Sequence, residues 1–165
     1  MKVKHVPAAP DDLAFVEDAQ RAVPLVPDSQ DDCCARILER TDLRSRDEAA
    51  TWLTFLRGLG LVERGPSGYS RVRREPDPEF LREAFRDGVF GVDAVLAALR
   101  DADEPLTAAA TFERVRDAIP EWERHKNPNT WTDVWTETVG HELDWLVRLG
   151  LADRVDDRYV IAADG

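Results

Sequence analysis

Three shortages shape the reading of this chain of 165 residues: cysteine, lysine and isoleucine. The two cysteines, Cys33 and Cys34, are adjacent, so they supply neither the disulfide framework of a small secreted protein nor a spaced pair of zinc ligands. They read instead as two small side chains on a helix. No apolar run approaches the roughly 18 residues of a membrane span. Met1 to Pro7 lacks the apolar stretch of a secretory signal, so a cytoplasmic location with no membrane contact is expected. There is no glycine-rich phosphate loop, nucleophile elbow or spaced cysteine pair. His141-Glu142 begins like a zinc-protease helix, but Trp145 stands where the second histidine belongs. Glu137 and His141 share a helix face with no third ligand in the pattern. Neither a metal, nor a cofactor, nor an enzymatic activity is expected.

What is present is a folding composition. With 43% hydrophobic, 33% charged and 8% aromatic residues, the chain can build one ordinary domain or two small ones of about 80 residues each. Its 33 acidic residues outnumber 22 basic ones, for a net charge of −11, which ordinarily argues against a nucleic-acid partner. Here the basic residues are 19 Arg and 3 Lys, the acids 20 Asp and 13 Glu, and Ile occurs only 3 times. That bias resembles the proteins of extreme halophiles, whose carboxylate-rich surfaces hold water and cations in concentrated salt, where self-repulsion is screened. Local charge then says more than net charge.

Sliding the sequence by 90 residues aligns Ala49 to Tyr69 with Val139 to Tyr159 without a gap, and 7 of the 21 positions are identical. Unrelated sequences give roughly one or two matches. The identities are Leu53/Leu143, Leu56/Leu146, Leu59/Leu149, Gly60/Gly150, Leu61/Leu151, Arg64/Arg154 and Tyr69/Tyr159, with Phe55/Trp145 conservative and Trp52/Glu142 a departure. In the first copy Ser45-Arg46-Asp47-Glu48 is a capping box that starts a helix, with Glu48 expected to reach back to the Ser45 N–H. Ala49, Trp52, Leu53, Leu56 and Leu59 line one face, and Gly60 supplies a left-handed stop. Residues 61–64, a Gly65-Pro66-Ser67-Gly68 turn and residues 69–73 then read as a two-stranded hairpin.

Two helices are expected upstream, over 11–23 and 29–40, joined to the third by the short link 41–44. Three helices and a hairpin, with a tight turn between the second and third, is the order of a winged helix-turn-helix. The stretch from Phe55 to Arg73 resembles the end of the recognition helix and the wing in winged-helix regulators, where a Leu-Gly-Leu-Val turn leads into a strand, a Gly-rich turn and an aromatic-basic strand. The resemblance covers about residues 11–74. The second half repeats the plan, with helices expected over 79–86, 92–100, 106–118 and 133–149, a wing over 151–162, and an insertion over 120–132. The expected architecture is therefore mainly α with small β-hairpin wings, a tandem winged helix-turn-helix. Its domains are 1–75, the candidate for DNA binding, and 76–165, carrying the Trp-rich insertion.

Charge separates the copies. Residues 44–74 hold seven Arg against Asp47, Glu48 and Glu63, whereas residues 133–161 hold three Arg against seven acids. A wheel of about 100° per residue turns Asp47, Ala50, Thr51, Thr54 and Gly58 outward, flanked by Arg46 and Arg57. Small and hydroxyl side chains approach base edges, and Arg reaches guanine or phosphate. Arg44, Arg46, Thr51, Thr54 and Arg57 are thus candidate DNA contacts, and Arg71, Arg73 and Arg74 would let the wing grip the backbone. The alternative is a solvated helix face on a salt-adapted protein.

Four of the five Trp lie between Trp122 and Trp145. Trp145 takes the Phe55 position and belongs to the core. Trp122, Trp131 and Trp135 surround a polar, turn-rich run and suit a partner interface, unless they fold back over a small core. The expected function is a DNA-binding transcription regulator acting on double-stranded DNA through the first domain. The second domain would mediate self-association, as a dimer, or contact with a protein partner. A tandem winged-helix scaffold that binds only proteins is the competing class.

Overall fold

A computed structural model describes residues 2–163. The chain divides into two compact units, Met1–Val89 and Phe90–Gly165. The division falls later than the sequence boundary at 75/76, because the connecting helix stays with the first unit through its contacts with the third helix.

In the first unit α1 (Ala14–Ala22), α2 (Gln30–Arg40) and α3 (Arg46–Gly58) precede a hairpin of β1 (Val62–Gly65) and β2 (Gly68–Arg71), and α4 (Pro78–Gly88) closes the unit. Short side chains start these helices. Ser29 accepts from the Asp32 N–H at 3.1 Å, Ser45 from Glu48 at 3.1 Å and Asp77 from Phe80 at 2.9 Å, each worth about 1 kcal/mol. The capping box differs in its return bond, since the Glu48 carboxylate accepts from the Arg44 N–H at 3.4 Å and the Ser45 hydroxyl at 3.3 Å rather than from the Ser45 N–H. The apolar stripe packs as its spacing requires, with Ala49, Leu53, Phe55, Leu56 and Leu61 at most 1% exposed, and each buried Leu or Phe contributes about 2 kcal/mol. Cys33 and Cys34 are free and buried on α2, and the Cys33 thiol is pushed up to about 11, first by burial and then by Asp28.

A single-residue bridge braces the two-stranded wing. Asp28 donates its N–H to the Tyr69 carbonyl at 3.0 Å and accepts from the Tyr69 N–H at 2.8 Å. Gly68 permits this approach, because a Cβ there would overlap the Asp28 carbonyl. The amide of buried Gln20 on α1 donates to the carbonyls of Val72 and Arg74, both at 3.0 Å, and so ties the chain leaving the wing to the helical core.

The second unit runs α5 (Val92–Asp101), β3 (Leu106–Thr107), α6 (Ala108–Val115), a 3-10 turn (Arg116–Ala118), α7 (Glu121–Lys126), α8 (Trp131–Arg148), β4 (Ala152–Val155) and β5 (Arg158–Ile161). Its antiparallel sheet has the order β3-β5-β4. The helix expected over 106–118 is divided. Leu106 pairs with Tyr159 in the sheet, Thr107 caps α6 by accepting from the Ala110 N–H at 3.1 Å, and the last turn tightens to 3-10. Sheet pairing wins at Leu106 because Tyr159 presents an open edge, which no local pattern records. The insertion is not all loop, since α7 lies within it, and α8 begins at Trp131, two residues before the expected start.

The 90-residue repeat is a repeat of hydrogen bonds. Leu61 N–H reaches Leu56 O at 3.0 Å and Leu151 N–H reaches Leu146 O at 2.8 Å, and Val72 to Leu61 (3.0 Å) matches Ala162 to Leu151 (3.2 Å). Gly60 and Gly150 share a φ of 78°, the left-handed stop that lets the helix turn into the strand. The paired strands keep the same offset, with Arg64 opposite Tyr69 and Arg154 opposite Tyr159.

Candidate nucleic-acid interface

Helix α3 presents its polar side in two zones. Arg44, Arg46 and Asp47 at its start are exposed, whereas Ala50, Thr51, Thr54 and Arg57 are half-buried. Arg46 is held by Asp31 of α2 at 2.7 Å, but the two side chains are 59% and 86% exposed, so the pair is worth under about 1 kcal/mol. The Thr51 hydroxyl donates to the Asp47 carbonyl at 2.9 Å. Gly58, expected to face outward, is covered. A Cβ on it would come within 2.7 Å of the Val3 side chain, and the Gly88 backbone abuts its carbonyl. The N-terminal segment binds there through the Val3 N–H to Gly88 O bond of 2.9 Å, so the readable face of α3 ends near Arg57.

The wing arginines are gathered elsewhere. Arg71, Arg73 and Arg74 line an open groove of about 490 Å³ with Arg21 of α1 and Arg40 at the end of α2, and none of the α3 candidates lines it. Arg71 is anchored through its N–H to Pro24 O at 2.8 Å, and the Arg74 guanidinium lies 4.4 Å from the Phe80 ring centroid. The single basic surface expected over 44–74 is therefore two groups, one on α3 and one at the base of the wing. Five guanidiniums around one groove, offset by Glu17 and Glu75, make an anion-attracting surface in which Arg21 and Arg40 had no place in the sequence reading. No spacing in the chain joins α1, the end of α2 and the strand end.

A second omission is Arg64, exposed on β1, with its guanidinium 5.7 Å from the Tyr69 ring centroid. The repeat itself carried the signal, since both residues are among its identities. The corresponding Arg154 is bound differently. Its Nη1 donates to Asp144 Oδ1 at 3.3 Å and its Nε to the Asp156 carbonyl at 2.8 Å, while the Tyr159 hydroxyl donates to Asp144 Oδ1 at 2.6 Å. The Tyr159 hydroxyl is pushed up to about 12, first by burial and then by this bond. Asp144 stands where α3 has Thr54.

Two units of three helices and a wing, joined in one acid-rich chain, set the frame for comparison with known proteins. The sequence model of one family, the halobacterial double winged helix domain, matches residues 1–164. The chain belongs to this family. No curated protein and no solved structure matches it. Membership in the halobacterial double winged helix family accounts for both the tandem units and the salt-adapted composition. No helix among the described residues is long and apolar enough to cross a membrane.

In the second winged helix of this halobacterial double domain the tryptophans part company. Trp135 is 5% exposed and packs edge-on against Phe90 at 5.7 Å, so it serves the core and not an interface. Trp131 is half-buried, with the Arg116 and Arg124 guanidiniums at 4.9 and 5.0 Å from its ring centroid. Trp122 on α7 is 55% exposed. Glu142 is 1% exposed with its Oε2 unpartnered among the described residues, and burial holds its carboxyl well above the usual range.

Proposed function

We propose that the first unit binds double-stranded DNA through α3 and the arginines around its wing, that the protein acts as a transcription regulator, and that the second unit is left for association. The observation that carries this reading is the contrast between two units of one backbone plan. The arginines of the first α3 and wing are exposed or half-buried, with Arg46 in a weak surface pair, whereas in the second, acidic helix and wing the half-exposed Arg154 already has Asp144 and the Asp156 carbonyl as partners. An anionic duplex is attracted to the first surface and repelled by the second. Concentrated salt weakens phosphate contacts steeply. Six such contacts imply a slope near −5 in log affinity per decade of salt, so Thr51, Thr54, Arg46 and Arg57 carry more of the recognition through bases.

The test is fluorescence anisotropy of a labelled duplex against salt. Replacing Arg46 and Arg57 together by Ala weakens binding about tenfold or more, and Arg148→Ala leaves it unchanged. Asp31→Asn, which frees Arg46, tightens it by about threefold. No duplex binding by the parent in any salt that keeps it folded would refute the reading. The exposed indole of Trp122 favours association through the second unit. Light scattering is expected to show a dimer that Trp122→Ala dissociates, and a monomeric parent would remove that part.

A further inference from the structure

Both wings carry the same Arg and Tyr facing each other across the hairpin, 5.7 Å from guanidinium to ring centroid in the first and 5.3 Å in the second. In the second unit a carboxylate completes them. Asp144 accepts a hydrogen bond from the Tyr159 hydroxyl at 2.6 Å and pairs with Arg154 at 3.3 Å, an oxyanion held by one hydroxyl and one guanidinium. In the first unit Thr54 stands in place of that carboxylate. Among the described residues Arg64 has the Tyr69 ring contact and no carboxylate partner, and the Tyr69 hydroxyl has no hydrogen bond. That hydroxyl reaches solvent, because the buried side-chain polar atoms without a partner are Arg124 Nε and Glu142 Oε2 alone among the described residues. One donor pair is therefore kept in both units, filled internally in one and open in the other.

We infer that Arg64 and the Tyr69 hydroxyl, beside the Thr54 position of α3, form an anion site that takes a phosphate oxygen of a nucleic-acid backbone in the place the Asp144 carboxylate fills in the second unit. The inference deepens the DNA-binding reading and rests on it for the source of the phosphate. The chemistry matches. A phosphodiester oxygen, like a carboxylate oxygen, accepts one charge-assisted bond from guanidinium and one from a phenol, and Thr54 brings no oxyanion of its own where Asp144 supplies one. The pair spans β1 and β2 of the wing, and a contact there to a phosphate fixes register without reading sequence.

Two arms separate the site from the partner. In the first, inorganic phosphate is titrated in the lowest salt that keeps the full chain folded, and the Arg Nε–H signals are followed by NMR. The Arg64 signal is expected to shift in the parent and the Arg154 signal to stay still. Thr54→Asp abolishes the Arg64 response, and Asp144→Thr creates one at Arg154. An unresponsive Arg64 in the parent, or equal responses from both arginines, overturns the site. In the second arm the labelled duplex is used. Thr54→Asp and Arg64→Ala each weaken binding about tenfold, and the double variant loses less than the product of the two, since both disable one contact. Losses that multiply overturn the inference. A parent that responds to phosphate but binds no duplex upholds the site with free phosphate as its ligand and refutes the DNA reading alone.

Discussion

Where α3 carries Trp52, packed against Phe15 at 4.8 Å and Phe55 at 5.7 Å, the aligned position of α8 carries Glu142, equally buried but set against Gly91 at the start of α5, where a Cβ would lie 3.4 Å from Oε1. Two residues along the chain the exchange runs the other way, with a polar Thr54 in the first unit and the bonding Asp144 in the second. The lesson is that the Leu stripe, the Gly stop and the Arg-Tyr pair preserve the frame, while single positions on it decide whether a surface closes on itself or stays available. The first unit spends an aromatic on its core and leaves its wing open. The second buries a carboxyl and satisfies its wing from within.

The comparison is broken most severely by Trp52→Glu, which gives the first unit the second unit's residue without the space at Gly91. Loss of the indole and burial of a carboxyl together cost at least about 4 kcal/mol. Amide hydrogen exchange on the full chain should then show protection lost over 14–71 and kept in the second unit. Survival of the first unit would mean that the two cores tolerate the same residue.

Next in size is Glu142→Gln. The buried carboxyl binds its proton more tightly folded than unfolded, so its contribution is neutral below the ordinary carboxylate range. It grows unfavourable as pH rises from there toward the raised value, by about 1.4 kcal/mol per pH unit. The stability gain of the variant over the parent should therefore widen with pH, as read by denaturant titration at several pH values. A constant difference would show that Glu142 ionises normally in the fold.

Smaller and equal effects are expected from Gly60→Ala and Gly150→Ala. A Cβ meets nothing within 4 Å at either place, and both residues have a φ of 78°, so each variant bears only left-handed strain of about 1–2 kcal/mol. Unequal losses of exchange protection would show that the two stops are not equivalent. Smallest is the contrast of Tyr159→Phe, which breaks the bond to Asp144 and costs about 1 kcal/mol, with Tyr69→Phe, which is near neutral in the free protein because its hydroxyl has no protein partner. A comparable cost at Tyr69 would place an internal bond there.

The elements were legible where a local rule governs them. The Ser45 cap, the stripe from Ala49 to Leu59 and the Gly60 stop each follow from neighbours in the chain, and the second copy repeats the stripe and the stop but not the cap, since α8 begins without a side-chain cap bond. Leu106 fits a helical pattern locally, but its strand partner, Tyr159, is 53 positions away in the chain. Gly58 falls on the outer side of a helical wheel, yet Val3 and Gly88, distant in sequence, cover it. Trp135 sat in a stretch rich in exposed polar residues, and only Phe90 across the core shows that it is covered.

By itself the sequence determined the tandem plan, the salt-adapted surface and the opposite charges of the two helix-and-wing regions, because periodicity, capping and charge count are properties of neighbours in the chain. Tertiary structure alone decided how the arginines are grouped and which are occupied. Arg71, Arg73 and Arg74 meet Arg21 and Arg40 in one groove, and Arg46 is engaged by Asp31. Arg154 is closed by Asp144 while Arg64 has no carboxylate. A hydrogen bond or ion pair depends on a separation of about 3 Å between atoms, and distances of that kind between residues far apart in sequence exist only once the helices have packed.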